Sequence, residues 1–132
     1  MKKILIIITL ILSFTVLSIA EEFKSLTVDE LEVYIEKNII VIDIREESKW
    51  KTTGIIPNSY RLTYIKENEK KWFYTLIKLI RDKNRSFVLI SKDGKTAEKL
   101  AEKLLAKKIN NVMYLDGGID EWLDSDRKVI NY

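Results

Sequence analysis

The stretch "FVLISKDGKTAEKLAEKLLAKK", Phe87 to Lys108, decides the fold. Phe87 to Ile90 is a short apolar run of the kind that forms a strand covered on both faces. A short polar loop follows. Then Ala97, Leu100, Ala101, Leu104 and Leu105 fall at i, i+3, i+4, i+7 and i+8 with Lys and Glu between them, which is the stripe of an amphipathic helix packed on a sheet. Strand, loop, helix is the layout in which α/β proteins hold a reactive atom over a helix N-terminus, so the loop is the first candidate site.

Working outward, the same grammar repeats on both sides. "NIIVIDIR" carries a β-branched run from Ile39 to Ile44 that reads as a central strand. Before it, Thr27-Val28-Asp29-Glu30 has the spacing of a capping box and predicts a helix from about Val28 to Lys37. After it come a short helical piece around Glu46 to Lys51 and the turn formers Gly54, Pro57 and Asn58. In "ENEKKWFYTLIKLIRDKN", Trp72, Phe73, Leu76, Ile77 and Ile80 keep helical spacing, and the helix is expected to end near Asn84. "NVMYLDGGIDEW" supplies a strand at Val112 to Leu115, a Gly117-Gly118 turn and a short helix carrying Trp122. Strands alternating with helices through short links predict an α/β domain with a parallel sheet, right-handed crossovers and helices on both faces.

The chain of 132 residues is long enough for one domain, and 46% hydrophobic with 33% charged residues is a globular composition. "MKKILIIITLILSFTVLSIA" places Lys2 and Lys3 before an apolar run that ends in Ser18 and Ala20, small residues three apart when counted inclusively. Residues 1–20 therefore read as a signal peptide and residues 21–132 as the folded domain, periplasmic or secreted. Retained, Ile4 to Ile19 is near the shortest length that spans a bilayer, about 17 residues, and would anchor the domain facing outside the cytoplasm. With Lys2 and Lys3 set aside, the 23 basic residues become 21, against 20 acidic ones. Their alternation along the chain argues against nucleic acid and against a membrane contact other than an uncleaved leader. No cysteine and no histidine occur, which removes the thiolate nucleophile, disulfides, the usual zinc ligands and the usual base near neutral pH. No metal and no cofactor is expected.

Three ordered segments resemble the rhodanese-like family. "VIDIREESKW" looks like its Asp-x-Arg strand end and the acidic, aromatic helix after it, which places Asp43, Arg45 and Trp50. "TGIIPNS" resembles a segment usually written Gly-His-Ile-Pro-Gly-Ala, with Ile55 for the histidine and Asn58 for the second glycine. "VMYLDGGIDEW" is close to the strand, Gly-Gly turn and Trp that finish the domain. The resemblance spans about Leu26 to Val129 and implies a three-layer α/β/α fold around a mainly parallel central sheet. It also implies that the active loop, Cys-x-x-Gly-x-Arg, lies after Phe87–Ile90. There Ser91 stands for the cysteine, Gly94 matches the glycine and Thr96 replaces the arginine.

Sulfur transfer in that family needs a thiolate that becomes a persulfide, and a serine oxygen cannot follow that route. A serine nucleophile needs a base; without histidine, Asp93 is a poor one unless burial raises its pKa. "GKT" at Gly94 to Thr96 is not a Walker motif, because Leu89 occupies the place of its first glycine. Ser91, Lys92, Asp93, Gly94, Lys95 and Thr96 are the candidate anion-binding loop, with successive N–H groups at a helix N-terminus and two lysines. Asp43, Arg45 and Trp50 are expected to support the pocket, Trp50, Trp72 and Trp122 to pack in the core or at its rim, and Gly117 and Gly118 to serve the turn; an aromatic wall of Trp50 and Tyr60 is the alternative. The expected protein is an exported domain without a sulfurtransferase nucleophile that binds a protein partner or a small anion. The alternatives are a sulfur-handling accessory using a partner's thiol, and a structural domain tethered by its leader.

Overall fold

A computed structural model describes residues 23–131; the leader expected at 1–20 lies outside the described residues. Five strands, β1 (Lys24–Leu26), β2 (Ile40–Asp43), β3 (Tyr60–Arg61), β4 (Phe87–Ile90) and β5 (Val112–Leu115), form one sheet in the order β1-β5-β4-β2-β3. Every pairing is parallel. The helices are α1 (Val28–Glu36), α2 (Glu47–Thr53), α3 (Glu69–Ile80), α4 (Lys95–Ala106) and α5 (Gly118–Asp124), with a 3-10 turn at Lys66–Asn68 ahead of α3.

The strand side chains alternate between two apolar layers, as period 2 requires. Ile40, Ile42, Phe87, Leu89 and Val112 face α3 and α4, where Trp72, Leu76, Ile80, Leu100 and Leu104 meet them. Val41, Val88, Ile90, Met113 and Leu115 face the other way, onto Val28 and Leu31 of α1 and Ile119 and Trp122 of α5. β2, β4 and β5 are buried throughout, which is why they read as uninterrupted apolar runs.

Three expectations are corrected. α3 ends at Ile80 rather than near Asn84, because Arg81 takes the left-handed conformation (φ 64°) and its N–H caps back on the Ile77 carbonyl. β1 and β3 are strands that periodicity did not indicate; they are three and two residues long and exist through pairing with β5 and β2. At Thr27 only half of the capping box forms: the Glu30 N–H donates to Thr27 Oγ1 (3.2 Å), while the Glu30 carboxylate accepts from the Thr27 hydroxyl (3.3 Å) instead of reaching the Thr27 N–H. Beyond the sheet, Ile55 and Ile130 form an antiparallel bridge that ties the end of the chain to the segment after α2. Among the described residues no helix is long and apolar enough to cross a membrane.

Candidate functional site

Parallel strands deliver their following loops to one end of a sheet, and crevices there are the usual ligand sites of α/β folds. At that end the loop Ser91–Gly94 leads from β4 into α4. Its centre is the Ser91 hydroxyl. Ser91 is only 3% exposed, and its Oγ accepts the N–H groups of Gly94 (3.1 Å) and Ala97 (3.3 Å). Asp93 Oδ1 accepts the Lys95 N–H at 3.1 Å. Two of the donors expected to face an anion, the Gly94 and Lys95 N–H groups, thus have acceptors among the loop's own side chains, as does the Ala97 N–H. Gly94, at φ 89°, is required where it stands: a Cβ would lie 2.9 Å from the Leu115 carbonyl oxygen.

The turn after β5 locks the loop from the other side. Gly117 and Gly118 both take positive φ, and the N–H groups of Ile119 and Asp120 donate to the carbonyls of Ser91 (2.9 Å) and Lys92 (3.0 Å). The Asp120 carboxylate also accepts from Lys92 Nζ at 2.8 Å, and this hydrogen bond is the main reason that the Lys92 ammonium sits above the usual lysine value. Asp120 was not legible as a site residue. It lies 28 positions from Lys92, and nothing local marks the pairing. Lys95 and Thr96 are exposed on the first turn of α4.

Asp43 and Arg45 form a supporting brace. Arg45 Nε donates to both Asp43 oxygens (3.0 and 3.1 Å) and Nη2 to Oδ2 (2.8 Å), with both side chains almost wholly buried. The rest of the guanidinium reaches the α2 end, Nη1 to Thr53 Oγ1 (2.9 Å) and Nη2 to the Gly54 carbonyl (3.0 Å). All these partners belong to the protein, so the pair fastens α2 to the end of β2. Trp50 is buried on α2, with the Arg61 guanidinium 5.9 Å from its ring centre. Tyr60 does not join it in an aromatic wall. It lines grooves with Asn38, Pro57 and Arg85, residues that precede β2, β3 and β4 at the opposite end of the sheet.

Grooves of opposite charge flank the loop. One is lined by Tyr64, Lys66, Thr96, Lys99, Leu100 and Lys103. In it Lys103 Nζ donates to the Tyr64 hydroxyl (3.2 Å), which chiefly raises the lysine pKa, and lies 3.6 Å from Glu69. The other is lined by Thr27, Asp29, Asp116, Gly117, Glu121 and Ser125. Sequence reading missed both, since each gathers residues from separate elements. Tyr114, near Ser25 on one side and Glu98 on the other, has its phenol pushed up by burial first and by Glu98 and Asp116 next. Among the described residues no cluster of three or more His, Cys, Asp or Glu side chains could hold a metal ion.

Residues 27–125 match the family described as Rhodanese-like domain. A search of curated proteins finds no match. Among solved structures, the chain is similar to a rhodanese-related protein from Thermoplasma volcanium, at 24% identity and TM-score 0.65 over 83% of this chain and 100% of that one. It is also similar to a thiosulfate sulfurtransferase from Pseudomonas aeruginosa (17%, TM-score 0.68, covering 83% of this chain and 20% of that one). A polysulfide-sulfur transferase homodimer from Wolinella succinogenes matches at 19% and TM-score 0.67, over 83% of this chain and 80% of that one.

Proposed function

The chain belongs to the rhodanese-like domain family, and from that premise we propose that it is an exported, non-catalytic member whose loop end engages a protein partner. The observation that carries this reading is the Ser91 hydroxyl. It stands at the head of α4, where a family nucleophile would be, yet it is buried and accepts the N–H groups of Gly94 and Ala97. Neither histidine nor cysteine exists in the chain to activate it or to replace it. As an acceptor within its own loop, the oxygen acts as structure.

The same geometry favours a protein over a small anion. A cradle needs donors turned outward. Here Gly94 and Ala97 donate inward to the buried Ser91 hydroxyl, Lys95 donates to the Asp93 carboxylate, and Lys92 is paired with Asp120. The exposed chemistry lies on either side, lysines in one groove and carboxylates in the other, and a surface of two signs fixes the orientation of a protein partner better than it holds an ion.

Photo-crosslinking tests this. A photoreactive residue in place of Lys99, beside the loop, should yield a discrete adduct in the native cell envelope, whereas one in place of Lys37, after α1, should not. Equal labelling from both positions, or none from Lys99, overturns the reading.

A further inference from the structure

We propose that the outward face of α3, with the groove at its C-terminal end, docks on an anionic lipid surface. The groove lies at the opposite end of the sheet from the Ser91 loop, and the proposal does not depend on the reading of that loop.

α3 buries Trp72, Leu76 and Ile80 against the sheet. At i, i+4, i+7 and i+11, its outward line carries Lys70, Tyr74, Ile77 and Arg81, with Lys71 and Lys78 beside it. Tyr74 is 63% and Ile77 39% exposed, and all four cations are exposed. Among the described residues none of these cations is ion-paired. The one acid of the helix, Glu69, lies 3.6 Å from Lys103, and Asp82 just beyond the helix accepts the Asn84 N–H. Lys78 Nζ sits 4.4 Å from the centre of the Tyr74 ring, so cation and exposed aromatic form one unit.

Where the helix ends, Lys78, Arg81 and Arg85 meet Ile40, Tyr60 and Leu79 around a groove of ≈ 450 Å³. Its lining has three cations and no acid, which suits a phosphate group. The chain as a whole is nearly balanced in charge, so this excess is local. It is blurred in the linear order, where Glu67, Glu69 and Asp82 alternate with the lysines; within the helix the single acid, Glu69, is taken up by Lys103.

Exposed tyrosine and isoleucine between lysines is the pattern of helices that lie in a membrane interface: rings and aliphatic chains enter at headgroup level and cations meet lipid phosphates. A second copy presenting this face would bring like charges together. The convex outside of a helix offers no strand edge to an extended acidic peptide. The apolar run at 4–19 reads as an export leader or an anchor, and either brings the domain to a membrane.

Because residues 27–125 match the family domain and 83% of this chain covers the whole of the Thermoplasma volcanium chain, residues 23–132 can be tested without the leader. The probe is co-sedimentation with vesicles of phosphatidylglycerol and phosphatidylcholine mixed one to one, against phosphatidylcholine alone. Binding should be at least about a hundredfold tighter to the anionic vesicles and fall with salt. Lys70→Gln, Lys78→Gln and Arg81→Gln together should weaken it about a hundredfold, roughly fivefold per charge, with an unchanged melting profile. Tyr74→Ser with Ile77→Ser should lower the binding that survives high salt. Equal binding to neutral vesicles, or a triple variant that binds like the parent, overturns the proposal. Retention on polyglutamate without retention on anionic vesicles overturns it too, and assigns the face to an acidic polypeptide.

Discussion

Gly118 lies so close to Ser91 that there is no room for a methyl group between them. A Cβ on Gly118 would overlap the Ser91 carbonyl oxygen and lie 2.5 Å from that of Lys92, and the residue holds φ 60°. Both obstacles are backbone. Gly118→Ala should therefore cost at least about 2 kcal/mol through the left-handed conformation and the displaced loop together. Chemical denaturation measures it; a loss under about 0.5 kcal/mol would mean that the turn and loop are not locked as described.

The Asp43–Arg45 brace gives a second expectation. Arg45→Met leaves a buried carboxylate without its cation and should destabilise the domain by about 3–5 kcal/mol, with much of the loss recovered by the double variant that adds Asp43→Asn. Equal losses in the single and double variants would show that the contacts to Thr53 and Gly54, rather than the charge pair, carry the effect.

Ser91 can be tested by removing its oxygen or by exchanging it for sulfur. Ser91→Ala strands the N–H groups of Gly94 and Ala97 inside the loop and should cost about 1–3 kcal/mol. Ser91→Cys should give no more than background transfer of sulfur from thiosulfate to cyanide, since position 91 is enclosed and Thr96 supplies no cation. Vigorous turnover by this single variant would show that the surrounding site is intact.

Alkaline pH should reveal Tyr114. Its folded pKa is raised, so the stability linked to the neutral phenol is fully present below the ordinary tyrosine value of about 10 and is lost as pH rises from there through the folded value. Other groups titrate in the same range, so the measurement is the difference between the parent and Tyr114→Phe. The parent should lose more stability above pH ~10 than the variant. Parallel pH profiles would show that Tyr114 does not carry the linkage.

What was legible in the sequence followed burial. β2, β4 and β5 are covered on both faces, so their apolar runs stand out, and α4 is half covered, so its stripe does. "KSL" and "YR" carry no such mark; β1 and β3 are edge strands made by backbone pairing with distant residues. The end of α3 was misplaced because the left-handed stop falls on Arg81, where no glycine or asparagine announces it. At the site, Ser91 and Gly94 were readable through the family resemblance, whereas the inward aim of the hydroxyl and the Lys92–Asp120 pair depend on α5 folding over the loop.

The strand order has a consequence for how the domain comes into being. Among the described residues β1 is the first strand in chain order, yet its partner in the sheet is β5, the last. The Ile55–Ile130 bridge similarly fastens an early segment with the final residues. A nascent chain cannot complete the sheet, or hold the turn after α2, until β5 and Ile130 have been synthesised. Contacts of such long sequence separation delay folding. The same topology makes loss of the segment around Ile130 an injury to the turn after α2, because Ile55 and Ile130 exchange their backbone hydrogen bonds.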